Sequence, residues 1–217
     1  MRFPIPSRLL LSLALAALLP AEIIDRIAVT VDNQVITQSE IFEDIRIAAF
    51  LDGQKPDFSP ASRRQAARRL IERALMRREM DLTRYPEPSQ EDVNKMLAAI
   101  ETARFGNEQK FREALREYHL TQPELERYLR RQAAVLQFIE YRFRPEVLVS
   151  DAEVRACYEN QVLPAYRARN AAEPSYEDAR AQCEKSIAAK RVDQLVDQWI
   201  KQARARANIV YQEDAFR

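Results

Sequence analysis

Ile24-Asp25-Arg26-Ile27-Ala28-Val29-Thr30-Val31, Asp32-Asn33, and Gln34-Val35-Ile36-Thr37-Gln38-Ser39-Glu40 form the stretch whose reading decides the fold. Its first eight residues alternate and are rich in β-branched side chains, the pattern of a half-buried strand. Asp32-Asn33 separates them from a second short apolar run, so Ile24–Val31 and Gln34–Thr37 are expected to pair as a hairpin. Thr37 followed three residues later by Glu40 is a capping box, in which each residue's side chain accepts the other's backbone N–H. Strand, turn, strand and helix start are therefore written into 17 consecutive residues.

Working outward, the same capping pattern recurs at Ser89/Asp92, Thr121/Glu124, Ser150/Glu153 and Ser175/Asp178. Ser59-Pro60 is a sixth start, with proline at the first helical position where its missing N–H costs nothing. Each precedes an amphipathic run. Leu70, Ile71, Ala74 and Leu75 form one stripe, Val93, Met96, Leu97 and Ile100 another, and Phe111 and Leu115 a shorter one after Gly106-Asn107. From Thr121 the run carries Leu125, Tyr128, Leu129, Leu136, Ile139 and Phe143, until Arg144-Pro145 ends it. A long helix over about Ser175 to Ala205 turns Cys183, Ile187, Leu195, Val196, Trp199 and Ile200 inward. Ala207–Tyr211 is a terminal strand candidate that could pair with Ile24–Val31. The expected class is mainly α, with a small sheet made by the N-terminal hairpin and the C-terminal strand.

The composition excludes chemistry. The 217 residues include 2 Gly, 1 His and 2 Cys. Phosphate-cradling loops need several glycines in one short stretch, and Gly53 and Gly106 stand alone. His119, Cys157 and Cys183 are too few and too scattered for a zinc site, and a catalytic triad would have to run through the single imidazole. His119, just before the Thr121 start, reads as a surface or capping residue. No cofactor and no metal is expected.

Residues 1–21 read as an export signal: Arg2 and Arg8 precede an apolar run of 11 residues, Leu9–Leu19, about half of what spans a bilayer as a helix. Cleavage is expected between Ala17 and Glu22. Pro20 and Glu22 cut the stretch short, against an uncleaved anchor, so the mature protein is not expected to stay in the membrane. Removing Arg2 and Arg8 leaves 32 basic against 33 acidic residues, a net charge of −1. No bulk field draws it to nucleic acid.

The order of these features resembles the SurA family of periplasmic chaperones and peptidyl-prolyl isomerases. The most specific parts are the hairpin Ile27–Thr37 running into a helix and Val149-Ser150-Asp151-Ala152-Glu153-Val154. The similarity covers essentially everything after the signal, with 22–149 as the N-terminal part and 150–217 as the returning helices and strand. In that family these parts form one client-binding module, and the second segment leads into an inserted parvulin-type isomerase domain. Here only the 14 residues Gln161–Pro174 separate it from the Ser175 start, whereas a folded domain needs about 50 or more. The resemblance thus implies a chaperone module without the parvulin insert. Gln34 also stands where relatives often have glycine, which leaves the turn type open.

Cys157 and Cys183 are an even pair in an oxidising compartment, and position 170, midway between them, falls in the stretch joining two helices that could lie antiparallel. A bridge there would stabilise by roughly 3.5 kcal/mol on the chain-entropy estimate; two buried thiols are the alternative. Arg63, Arg64, Arg68, Arg69, Arg73, Arg77 and Arg78 spread around their helix at about 100° per residue, so they read as a solvated face with Glu72 and Glu79. Phe50, Met76, Met80, Met96, Phe105, Tyr118 and Phe138 are candidate linings of a client groove, because thioethers and aromatics suit promiscuous apolar binding. Ordinary bundle core is the competing assignment.

The expected function is an ATP-independent periplasmic holdase for unfolded exported polypeptides, outer-membrane proteins above all. The alternatives are a peptidyl-prolyl isomerase and a helical envelope assembly protein with one fixed partner.

Overall fold

A computed structural model describes residues 25–83 and 85–217. The export segment lies outside the described residues. Strand β1 (Ile27–Val31) turns at Asp32-Asn33 into β2 (Gln34–Thr37), with Val31 opposite Gln34 and Thr30 opposite Val35. A bulge between Ile27 and Val29 lets both Ala28 and Val29 face the core. Asp32 adopts a left-handed backbone (φ 53°), tolerated by a short polar side chain, so the turn needs no glycine. The last strand, β3 (Ile209–Tyr211), adds antiparallel to the other side of β1. The sheet order is β2-β1-β3, which places the first strand of the chain in the middle.

All six helix starts read from the sequence are found. Helix α1 (Gln38–Asp52) opens on Thr37: the Thr37 amide donates to Glu40 Oε2 (2.8 Å) and the Glu40 amide to Thr37 Oγ1 (3.3 Å). It ends at Gly53, whose φ of 66° is left-handed. Helix α2 (Pro60–Thr83) begins after Ser59, and α3 (Gln90–Ile100), capped by Ser89, continues into a π turn over Glu101–Phe105. Gly106 closes that turn at φ 74°. Helix α4 (Glu108–Glu117) is capped by Asn107 and ends with His119 left-handed at φ 52°. The Leu120 amide then donates back to the Leu115 carbonyl (2.8 Å), as in a Schellman ending. Helix α5 (Gln122–Arg142) is followed by a 3₁₀ turn at Arg144–Glu146.

Helix α6 (Asp151–Cys157) runs through a π turn (Tyr158–Val162) into α7 (Leu163–Ala168), so the first part of Gln161–Pro174 is helical and the connection between the two helices lies in the residues from Ala168 to Pro174. The reversal is confined to the residues after Ala168, with Asn170 left-handed (φ 51°). Helix α8 (Tyr176–Arg206) returns along α6, and after β3 a 3₁₀ turn at Glu213–Phe216 closes the chain. Among the described residues, no helix is long and apolar enough to cross a membrane.

Four apolar clusters follow the chain. The sheet covers Ile41, Ile45, Ile71, Leu75 and Phe216. Helices α1, α3, α4 and α5 enclose Ile47, Phe50, Val93, Phe111 and Leu125. Helices α2, α5 and α8 meet at Met76, Met80, Phe138 and Val192, with Trp199 against them. The α6–α8 hairpin has a small cluster around Val154, Cys157 and Cys183. Leu136 departs from the expected inward stripe and is 60% exposed. The small side chains of Ala133 and Ala134 define the packed face instead, together with Phe138, and a residue about 200° from both Ala134 and Phe138 must point away.

The terminal 3₁₀ turn was not legible in the sequence, yet Phe216 is only 1% exposed beneath the sheet. Phe216→Ala is expected to destabilise by about 3 kcal/mol, the usual cost of emptying a buried aromatic site. Urea unfolding checks it: an unchanged midpoint would mean that the C-terminal turn does not hold the sheet.

At the head of α6, the Ser150 amide and hydroxyl and then the Arg191 guanidinium hold the Glu153 carboxyl at about 2, well below its ordinary 4.5. A depressed carboxyl stabilises above the unfolded value and loses that contribution as pH falls through the folded one. The Ser150 amide resonance should therefore stay constant down to pH about 4.5 and shift only as pH approaches about 2, with hairpin stability falling over that window. A Ser150 titration midpoint near the ordinary carboxyl value would show that the cap is not formed.

Candidate functional site

Cys157 and Cys183 form a disulfide with their Cα atoms 5.9 Å apart, joining α6 to α8 as the midpoint argument expects. Such a bridge fits an oxidising compartment. Around it, Tyr158 Oη donates to the Pro174 carbonyl (2.8 Å), the Tyr158 and Tyr176 rings meet edge to face at 5.6 Å, and Arg180 pairs with Asp151 at 2.8 Å.

The seven groove candidates do not share one surface. Phe50 is buried, stacks on Phe105 at 5.2 Å and meets Tyr118 at 5.6 Å, and Met96 packs against the same cluster. Met76, Met80 and Phe138 are buried in a different cluster, where Phe138 contacts Tyr85 and Trp199, each at 5.5 Å. Phe50, Met76 and Phe138 are thus structural, because their apolar area is consumed by neighbouring helices. Met80, although buried, also contributes to the lining of an open groove.

The arginine stretch of α2 also departs from a solvated face. Arg69 Nη2 lies 2.6 Å and Nε 3.0 Å from Asp44 Oδ2, and Arg73 Nη2 lies 2.7 Å from Asp44 Oδ1. Asp44 is 3% exposed and is the one buried charged residue among those described. Spacing of four along α2 puts both guanidiniums on the side facing α1. The Arg73 guanidinium also lies over the Tyr128 ring, 4.9 Å from its centroid, and so ties α5 to the same point. Arg77 pairs with Asp81 (2.9 Å) and Glu87 (2.8 Å), Arg78 with Asp32, and Arg64 with Glu213. Arg63 donates to the carbonyls of Phe58 (2.7 Å) and Arg217 (2.6 Å). Most of these cations are tethers between elements. Periodicity could not show this, because the carboxylates that Arg64, Arg69, Arg73 and Arg78 meet are distant in sequence; only Arg77 has a partner one helical turn away. One signal was available: Asp44 sits between Ile41 and Ile45 on the inward face of α1, where an unpaired charge would be prohibitive.

Above this ion cluster a groove opens between β2, α1, α2 and α5. Val35, Ile36, Leu70 and Ala74 give it apolar walls, and Glu40, Glu43, Arg127 and Arg131 its rim, around a cavity of about 360 Å³. A neighbouring cavity of about 280 Å³ shares Arg73, Arg77 and Arg131 and is floored by Met80, Ala134 and Val135. Together they make a trough from the edge of the sheet along the α2–α5 seam, with apolar patches at Val35, Ile36, Leu70 and Ala74 and at Met80, Ala134 and Val135, and charged side chains of both signs between and above them. The guanidiniums of Arg127 and Arg131 offer hydrogen-bond donors at the rim beside the carboxylates of Glu40 and Glu43, and Met80, Ala134 and Val135 offer apolar surface. His119 lies at the end of α4 and is not among the trough's lining residues. Among the described residues there is no cluster of three or more metal-ligating side chains. A second open cavity of about 310 Å³ lies beside the disulfide, lined by Val162, Ala165, Tyr166 and Pro174 among others.

No protein-family model matches the chain, and no curated protein matches it.

Asp44→Ala removes the shared anion and leaves Arg73, largely buried, without its counter-charge. A loss of about 3 kcal/mol is expected, at the lower end for a broken buried pair because Arg69 can turn to solvent. Thermal or urea unfolding measures it; a change of only a few tenths of a kcal/mol would show that the cluster does not brace α1 against α2.

Proposed function

We propose that the chain is an exported, ATP-independent holdase that shields unfolded polypeptides in the periplasm, outer-membrane proteins among them. The observation that carries this is the trough: an open groove with apolar patches and a hydrogen-bonding rim, on a frame in which β1 is paired with both β2 and β3. Its resemblance to the SurA chaperone module, with no parvulin domain between α6 and α8, and a disulfide suited to an oxidising compartment support it. Each leucine- or phenylalanine-sized client side chain buried in the trough contributes about 2 kcal/mol before ordering costs are subtracted. One or two such contacts give weak, rapidly exchanging capture with no covalent step, which is what a client needs in order to leave again. The rim guanidiniums bind client carbonyls and carboxylates. Prolyl isomerisation is not part of the proposed activity.

A helical assembly factor with one fixed partner is the second reading, favoured by the exposed apolar side chains Leu136 (60%) and Tyr141 (58%) of α5.

Light scattering separates these. Several urea-denatured outer-membrane proteins, diluted with a few-fold molar excess of the chain, should aggregate less than half as much as without it, with no effect of ATP. Unchanged aggregation for all of them, with one stoichiometric partner recovered by copurification, would overturn the holdase in favour of the fixed partner.

A further inference from the structure

We propose that the trough receives its client as an added strand: an extended segment of alternating apolar and acidic residues pairs with the free edge of β2. This rests on the holdase function and specifies how the client is held.

Strand β2 has β1 on one side only. In an antiparallel ladder, alternate peptide groups point away from the partner, so part of the N–H and C=O row of Gln34–Thr37 faces outward. Among the described residues, no backbone group of another element bonds to that outer side; the Thr37 amide is taken by Glu40. Proteins usually blunt such an edge with a charge, a proline, a bulge or a covering element. Here Gln34, Val35, Ile36 and Thr37 carry no charge and no proline, the bulge lies in β1, and Val35 is 48% exposed. The edge also opens directly on the trough, since Gln34, Val35 and Ile36 line its end. The opposite edge, β3, has three residues and runs straight into the closing 3₁₀ turn.

An extended backbone seated about 4.8 Å from β2 would present every second side chain to the same face. Apolar side chains on the face shared with Ile36 meet Leu70 and Ala74, while Val35 lies on the opposite face, beside the alternate positions. The charge of the rim then selects the alternate positions. Arg73 is committed to Asp44 and Arg77 to Asp81 and Glu87, Arg131 reaches Glu43 only at 3.4 Å, and exposed Arg127 forms no ion pair among the described residues. With Glu40 capping α1, the groups left to receive a ligand are Arg127 and the loosely held Arg131. A carboxylate on the client complements them. The occupant is therefore a mixed apolar and acidic strand, and a purely basic segment is disfavoured.

The test uses the full chain and three fluorescent ten-residue peptides: alternating valine and aspartate, the same peptide N-methylated at every second amide, and alternating valine and lysine. Anisotropy should show the valine–aspartate peptide binding at least tenfold more tightly than either of the others, with the Val35 amide resonance shifted in the complex. Both registers are tried for N-methylation, since only one blocks the face paired with β2. Arg127→Glu should weaken the valine–aspartate peptide about tenfold, and Val35→Lys should weaken it by placing a charge on the edge. Equal binding by both N-methylated peptides would overturn strand addition, even where aggregation suppression persists. Equal binding of the lysine peptide would overturn the acidic preference. A concentration-dependent dimer that Val35→Lys dissolves, with no peptide binding, would assign the edge to a second copy of the chain and overturn the proposal. Loss of aggregation suppression alone bears on the holdase function, so the two failures are distinguishable.

Discussion

The arrangement depends on β1 being held from both sides by segments from opposite ends of the chain. Its hairpin partner follows within a few residues, whereas Tyr211, opposite Val29, arrives 182 positions later. The joint is reinforced at the turn: the Asp32 amide donates to the Asn208 carbonyl and the Asn208 amide to Asp32 Oδ1, each at 2.8 Å, while the Gln212 amide donates to Ala28. The closure entropy of a loop rises only with the logarithm of its length, so a long closure is tolerable once Phe216 and its neighbours add buried apolar area. Pairing so distant in sequence is expected to form late in folding, after the local helices. Everything between the strands is in effect one large loop of helices whose ends are fixed.

Within that frame, Asp44 sets the relation of three helices. It is buried, so its charge is tolerable only with partners in place, and Arg69 and Arg73 supply them from α2 while the Tyr128 ring backs Arg73 from α5. An ion cluster of this kind contributes little net stability relative to a well-packed apolar alternative, but removing one member is costly. Its effect is therefore geometric: it holds α1, α2 and α5 at a fixed spacing and leaves a trough beside β2 unfilled. The polar cluster and the open trough arise together. Had these positions been leucines, the helices could have closed over the seam.

The α6–α8 hairpin is a separate case. Its apolar cluster is small, and two of its three buried residues are the bridged cysteines. The capping of α6 by Ser150 and Glu153, with Arg191 reaching across from α8, supplies polar contacts that a larger core would make unnecessary. The π turn after α6 carries it without a break into α7, whereas the one after α3 ends at left-handed Gly106.

Local and short-range features were determined by the sequence itself. Capping pairs three residues apart, a proline at a first turn, alternation over five or six residues and the two-residue Asp-Asn turn all act through neighbours, so their physics is visible in a one-dimensional string. For the disulfide the sequence supplied a matched height, since two antiparallel helices convert distance from the turn into height along the hairpin, but it left two buried thiols open until the packing of α6 on α8 brought the cysteines together. Only the tertiary structure decided which apolar side chains fill a core and which face a groove. Phe50 and Met80 have the same kind of spacing, but one is enclosed by aromatic rings and the other, although buried, also contributes to the lining of an open groove, because burial depends on elements dozens of residues away. The partners of the α2 arginines, the interior position of Asp44, the unblocked edge of β2 and the burial of Phe216 were decided in the same way, by contacts between segments that the linear order keeps apart.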